Sequence, residues 1–232
     1  MIPQISIGTQ SFEKLRMTKC FYVDKTNFIE EWWERNDDVT LITRPRRFGK
    51  TLNLNMMNCF FSTTFSQRGD LFEGLSIWNE EEYRKMQGTW PVIFLSFAGV
   101  KANHFQGAIN GIVKAIANTY EAHKYLKKSD VLSAEEKKDY DAFQNYSISS
   151  DLNKMINTQL VTSALNQLSM YLERYYGKKV LIFLDEYDTP LQEAYVYGYW
   201  REIVGFVREL FNNTFKTNEH LYRAMLTGIT RV

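Results

Sequence analysis

Two short stretches carry residue types that together could do phosphate chemistry. The first, Thr40-Leu-Ile-Thr-Arg-Pro-Arg-Arg-Phe-Gly-Lys-Thr51, closes on Gly49-Lys50-Thr51. A lysine between a glycine and a hydroxyl, at a helix start, can reach the β- and γ-phosphates of a nucleotide while the hydroxyl holds Mg²⁺. The backbone of Arg46, Arg47, Phe48, Gly49, Lys50, Thr51 and Leu52 would cradle the phosphates with N–H groups aimed by the helix. The second stretch, Val180-Leu-Ile-Phe-Leu-Asp185-Glu186, ends five apolar residues in two carboxylates. Asp185 would support Mg²⁺ with Thr51, and Glu186 would polarise an attacking water. Lys50 and Glu186 are the candidate catalytic groups.

The first stretch departs from G-x-x-x-x-G-K-[ST], because Arg44 stands at the first glycine. The turning freedom of a glycine is missing there, and Pro45 is the residue that could set part of the geometry instead. A basic turn followed by a helix would give the same letters. The second stretch bears on the choice. Five apolar residues in a row are too many for a half-exposed strand and suit a central parallel strand covered on both faces. Its carboxyl end then opens into the crevice where open α/β sheets bind ligands. A strand leaving into a polar turn is the plainer alternative.

The elements that must position these groups can be read in order. Thr26 or Asn27 can cap an amphipathic helix carrying Phe28, Ile29, Trp32 and Trp33, packed beside the strand at Val39. Tyr22 to Thr26, with Tyr22 and Asp24, would line the base end of a nucleotide pocket, or else form a solvated turn. Leu52, Leu54, Met56, Met57, Phe60 and Phe61 mark the helix after the loop. A helix is expected from Glu80 to Gln87, ended by Gly88, and a buried strand at Pro91-Val-Ile-Phe-Leu-Ser-Phe97. That strand is expected between the Thr40 strand and the Asp185 strand. Residues 103–177 read as mainly helical. Ser133 and Glu136 form a capping box, and Val161, Leu165, Leu168, Leu172 and Tyr175 form one apolar stripe ended by Gly177. Asp188 before Thr189-Pro190 reads as an N-cap. A helix over Tyr199 to Phe215 and a strand over Leu221 to Thr227 complete the set.

Three segments carry a resemblance: Tyr22-Val-Asp-Lys-Thr26, Arg44-Pro-Arg-Arg-Phe-Gly-Lys-Thr51 and Leu184-Asp-Glu-Tyr-Asp188. Together they resemble the bacterial AAA-ATPase-like family, itself similar to STAND and archaeal-type P-loop ATPases. In that family the arginine-rich loop without its first glycine is usual. The resemblance spans nearly the whole chain and implies an α/β fold: a three-layer αβα sandwich with a mostly parallel sheet, of the additional-strand class, with a helical insertion between the second and third core strands. It implies ATP and Mg²⁺ as ligands and a switch or motor role. It also implies a polar sensor at the end of the last strand, where Thr227 stands, with Arg231 just beyond as a second charge-sensing candidate. Family members often carry a nuclease-like domain of the PD-(D/E)xK type downstream, so the partner would be a protein or nucleic-acid effector. An oligomer with an arginine supplied in trans is compatible.

Composition narrows the alternatives. The 232 residues are 44% hydrophobic and 24% charged with net charge +1, enough for one α/β domain over 1–232 and no global field for nucleic acid. Met1 to Gln10 lacks a basic start and an apolar run, and no stretch approaches a membrane span, so a cytoplasmic location is expected. Two cysteines, Cys20 and Cys59, read as reduced thiols. The lysines from Lys124 to Lys138 are interleaved with acids and read as a solvated face. His104 and His123 lack spaced partners. A guanine-reading Asn-Lys-x-Asp is absent, since Asn153-Lys154 runs into Met155-Ile156, which favours ATP over GTP. The chain stops four residues after Gly228, so a last core strand and lid are expected beyond it. A non-hydrolysing nucleotide-binding module is the alternative function, and a nucleic-acid binder using Arg44, Arg46 and Arg47 is a third.

Overall fold

The structure is a computed structural model and describes residues 8–148 and 157–231, with the side chains of 145–148 left aside. Asn153 to Ile156 lie outside those residues. Four parallel strands form one sheet: β1 (Val39–Thr43), β2 (Val92–Ser96), β3 (Val180–Asp185) and β4 (Leu221–Gly228). All three pairings are parallel, so every connection must cross over, and each crossover carries helices. Helices α1 (Phe12–Met17) and α2 (Asn27–Arg35) precede β1, and α3 (Lys50–Phe61) and α4 (Glu81–Met86) join β1 to β2. The helical insertion between β2 and β3 holds α5 (Phe105–Ala122), α6 (Ala134–Ile148) and α7 (Thr158–Tyr176). Helices α8 (Thr189–Tyr197) and α9 (Trp200–Phe211), extended by a π-helical turn over Asn212–Lys216, join β3 to β4.

The period-two alternation of β3 explains the three layers. Val180, Ile182 and Leu184 point into a core shared with α5 to α9, while Leu181 and Phe183 point into a second core with α1 to α4. All six residues of β3 are buried, as a doubly covered strand requires. On the second face, Trp32 packs edge-on against Phe61 and Phe183 and donates from Nε1 to Thr40 Oγ1 at 3.0 Å, fixing α2 against β1.

The strand order is β1-β4-β3-β2. This corrects the expected placement of the Pro91–Phe97 run: β2 lies outside β3, and the strand between the loop strand and the Asp185 strand is β4. Thr227 pairs with Ile42 of β1, and Leu226 pairs with Leu184 of β3, so β4 ends between the two motif strands.

Other local expectations meet mixed outcomes. Ser133 Oγ accepts from Glu136 N at 3.2 Å and Glu136 accepts from Ser133 N at 2.8 Å, a reciprocal capping box. Gly177 and Gly88 take left-handed φ of +65° and +68°. Tyr175 is turned out against Tyr125, and its neighbour Tyr176 joins the core beneath the stripe instead. A 19-residue helix turns 100° per residue, so a strict 4-3-4-3 count drifts off the buried face by its last turn.

Thr26 sits at the start of α2 but makes no side-chain cap. Its hydroxyl donates to Asp24 and accepts from Ile77 N, and Asp24 also accepts from Ser76 N at 2.7 Å and Ser76 Oγ at 2.6 Å. Burial pushes the Asp24 carboxyl up, but the hydrogen bonds from Ser76 and Thr26 outweigh it and hold its pKa at about 2. Asp24 is thus a tie between the α2 entry and the 3-10 turn at Ser76–Asn79. Replacing it with alanine should lower stability by about 1–2 kcal/mol in urea unfolding. Nucleotide affinity should stay within about twofold, since its bonds are all made away from the loop.

Candidate nucleotide-binding site

The loop that joins β1 to α3 turns through two left-handed residues, Arg47 at φ +68° and Gly49 at φ +76°. Arg44 is not one of them. Its N–H still donates to Gly228 O at 3.2 Å, continuing the β1–β4 ladder by one residue. Arginine is therefore tolerated at the first-glycine position because the reversal falls three residues later, at Arg47. Gly49 then starts α3, whose first turn directs Lys50, Thr51 and Leu52 around the loop. The Lys50 ammonium donates to Arg44 O at 2.8 Å and Pro45 O at 3.0 Å, so it lies along the loop with a donor to spare.

Three segments far apart in sequence meet at Asp185. Thr51 Oγ1 donates to Asp185 Oδ2 at 2.9 Å, and Thr227 Oγ1 makes a short hydrogen bond to Asp185 Oδ1. Asp185 and Thr227 are buried, at 2% and 1% exposure. The sheet forces this meeting: β3 and β4 pair in register to Leu184–Leu226, and their carboxyl ends leave together toward the N-terminus of α3. Tyr187 N donates to Thr227 O at 3.0 Å, which locks the two strand exits side by side.

Glu186 follows at φ +48°, a left-handed backbone that a residue with a Cβ adopts at a cost of roughly 1–2 kcal/mol. That turn sends its side chain into a cavity of about 650 Å³ shared with Arg46, Arg47, Gly49, Lys50 and Thr51. Thr189 Oγ1 donates to Glu186 Oε2 at 3.2 Å, leaving Oε1 for another partner. Arg46, Arg47 and Phe48 are exposed, while Thr51 and Leu52 are half-buried. A second cavity of about 530 Å³ runs along β1 beyond Lys50, lined by Phe28, Leu41, Phe48 and Thr227 among others.

Of the Tyr22–Thr26 segment, only Lys25 reaches either cavity. Tyr22 donates to Met56 Sδ at 3.2 Å and faces a separate hollow beside Arg16 and Glu73, and Asp24 is taken up by Ser76 and Thr26. Instead, Gly8, Thr9 and Gln10 line the 650 Å³ cavity. Periodicity could not point to them, because they form no helix or strand. Arg231 is exposed just past β4.

Asp188 does not cap α8 with its side chain. Its Oδ2 accepts from Ile229 N at 2.9 Å, Thr230 N at 2.8 Å, Thr230 Oγ1 at 2.8 Å and Gln192 Nε2 at 2.7 Å. The carboxylate thus clamps the loop after β4 to the loop after β3. Gly228 is the residue that permits this approach, since a Cβ there would stand 2.7 Å from Asp188 Oδ1.

The donor set at Asp185 suits Mg²⁺: a carboxylate and a hydroxyl are hard oxygen ligands, and this ion keeps several waters and takes phosphate oxygens for the rest. Among the described residues no three His, Cys, Asp or Glu side chains cluster to form an all-protein metal cage, so a divalent ion here would need those outside ligands. No helix among the described residues is long and apolar enough to cross a membrane.

Comparison with known proteins follows the same line. A weak curated relative, "Uncharacterized protein in vnfD 5'region" from Azotobacter chroococcum mcd 1, is 26% identical over 230 residues. That match takes in 98% of this chain and 37% of the relative, so the chain spans little more than a third of that protein's length. No solved structure matches. A family model described as "Predicted AAA-ATPase" matches residues 6–232, and the chain belongs to that family.

Proposed function

We propose that this domain binds Mg²⁺–ATP and hydrolyses it, serving as a switch or motor for an effector carried elsewhere on the polypeptide or by a partner. The observation that carries the reading is the hydrogen-bonded chain Thr51–Asp185–Thr227, whose Thr51 end shares one cavity with Lys50 and Glu186. Lys50 and the N–H groups of Arg46 to Thr51 bind the β- and γ-phosphates. Thr51 and Asp185 would hold Mg²⁺, which when bound would neutralise phosphate charge. Glu186 orients and deprotonates the attacking water, and Thr227 fixes the Asp185 carboxylate. Catalysis of this kind is positioning plus electrostatic stabilisation, with little covalent work for the protein. Family membership supports nucleotide as the ligand.

The test is calorimetric ATP titration together with phosphate release, on the wild-type chain and Lys50→Ala. Loss of one ammonium that makes charge-assisted bonds to phosphate should weaken ATP binding by about 10- to 100-fold. Equal affinity and equal release in the two proteins would overturn the assignment. A non-hydrolysing nucleotide-binding module is the second reading, and ATP binding with no phosphate release would favour it.

A further inference from the structure

We propose that Thr189 is a positioning residue for Glu186: its hydroxyl holds one carboxylate oxygen so that the other stays aimed into the crevice. This rests on reading Glu186 as the group that activates water. A glutamate needs such a hold. Its side-chain torsions rotate freely unless something fixes them, and a misaimed base loses much of its effect. Cations are the obvious anchors, because Arg46, Arg47 and Lys50 line the same cavity. None of them serves. Lys50 donates instead to Arg44 O and Pro45 O, at 2.8 and 3.0 Å. Among the described residues the Glu186 carboxylate forms no ion pair and accepts from one group, the Thr189 hydroxyl.

Thr189 is 8% exposed and opens α8, with Pro190 directly after it. Its N–H donates to Glu186 O at 3.1 Å, so a single residue grips both the main chain and the side chain of Glu186. The N–H closes the left-handed turn at φ +48°, and the hydroxyl takes Oε2 at 3.2 Å. That separation is long for two oxygens, and catalytic hydrogen bonds of this kind tighten once substrate is bound. The donor stands on a fixed base, because Leu191 and Ala194 sink the same helix into the core shared with α5 to α9. A hydroxyl suits the task better than a cation. It aims a carboxylate without the opposite charge that would weaken the pull on a proton.

The experiment measures phosphate release and calorimetric ATP affinity for the full chain carrying Thr189→Val, Thr189→Ala or Thr189→Ser, each alone and beside Glu186→Gln. The two hydroxyl-free variants should lose turnover on the order of tenfold while ATP affinity stays within about twofold. Thr189→Ser, which keeps the donor, should remain within about threefold of wild type. Beside Glu186→Gln the loss from Thr189→Val should shrink below about twofold, because a base that is already gone cannot be misaimed. Melting points taken without nucleotide give a readout apart from activity. Thr189→Val should lower the melting point less beside Glu186→Ala than in wild type, since the bond it removes is already missing there.

Turnover within about twofold of wild type in both hydroxyl-free variants, or an equal fractional loss with and without Glu186, overturns the positioning role alone. A wild-type chain that binds no ATP, or that releases phosphate no faster than Glu186→Gln, overturns the reading of the site and takes this role with it.

Discussion

Glu186→Gln is expected to lower ATP turnover by roughly 10²- to 10⁴-fold while leaving ATP affinity within about threefold. The split follows from geometry. Glu186 occupies a left-handed turn at φ +48°, which a side-chain-bearing residue holds only when both flanks fix it. Here they do: Thr189 N donates to Glu186 O at 3.1 Å on one side, and Tyr187 N donates to Thr227 O at 3.0 Å on the other. The strain is spent on direction, because it aims the carboxylate into the crevice with Lys50 and Thr51. Glutamine keeps the size of the side chain and can still accept from Thr189 Oγ1, but it cannot take a proton from water. In the proposed function the phosphate contacts come from Lys50 and the loop backbone, so binding is expected to survive. The measurement is steady-state phosphate release beside calorimetric affinity. Turnover within threefold of wild type would remove Glu186 from the reaction.

The residues that could do chemistry were legible because their types are rare at strand ends. Asp185 closes an apolar run with a carboxylate, Lys50 and Thr51 open α3 just after the loop that leaves β1, and a parallel sheet delivers such strand ends to one edge. Sheet order was less legible. β2 and β4 are both parallel runs rich in buried apolar residues, and their composition does not say which of them neighbours β1. The crossovers decide it, and those depend on how α5 to α9 fill one face of the sheet. Asp188 does stand at the N-cap of α8 with proline in the first turn, as read, but its side chain serves donors that local sequence could not show. Asp-Thr-Pro has the signature of a helix cap, whereas the donors it serves, Ile229 and Thr230, lie more than 40 residues on. Tyr22 and Asp24 read from their sequence as either the base end of a pocket or a solvated turn, and Asp24 instead accepts from Ser76 N. The reading at Arg44 shows the reverse case. A missing glycine looked like a defect, and the backbone places its positive φ at Arg47 instead.

Asp188→Ala should lower stability by about 3 kcal/mol, a fall in Tm of roughly 6–12 °C for a chain of this size. The carboxylate is 1% exposed, and one of its oxygens receives four donors, two of them backbone N–H groups. Alanine would leave Ile229 N and Thr230 N without their acceptor beside a closely packed Gly228, where water has little room to replace it. Burial alone would raise the Asp188 pKa, but the hydrogen bonds from Thr230, Ile229 and Gln192 outweigh it and hold the carboxyl below its ordinary value. A depressed folded-state pKa means this stabilisation is complete above the unfolded value near 3.8 and is lost as pH falls through the folded value. The gap in Tm between wild type and Asp188→Ala should therefore be widest at neutral pH and narrow below about pH 4. The same clamp holds Thr227, because Tyr187 donates from N to Thr227 O and from Oη to Thr230 O at 2.8 Å. Loosening it should thus lower ATP turnover of the folded variant as well as its melting point, whereas Asp188→Asn, which keeps the shape and one acceptor, should fall between the two. A melt of Asp188→Ala within 2 °C of wild type at pH 7, by a margin far below the shift expected for about 3 kcal/mol, would show that the two strand exits are held together by something other than this carboxylate.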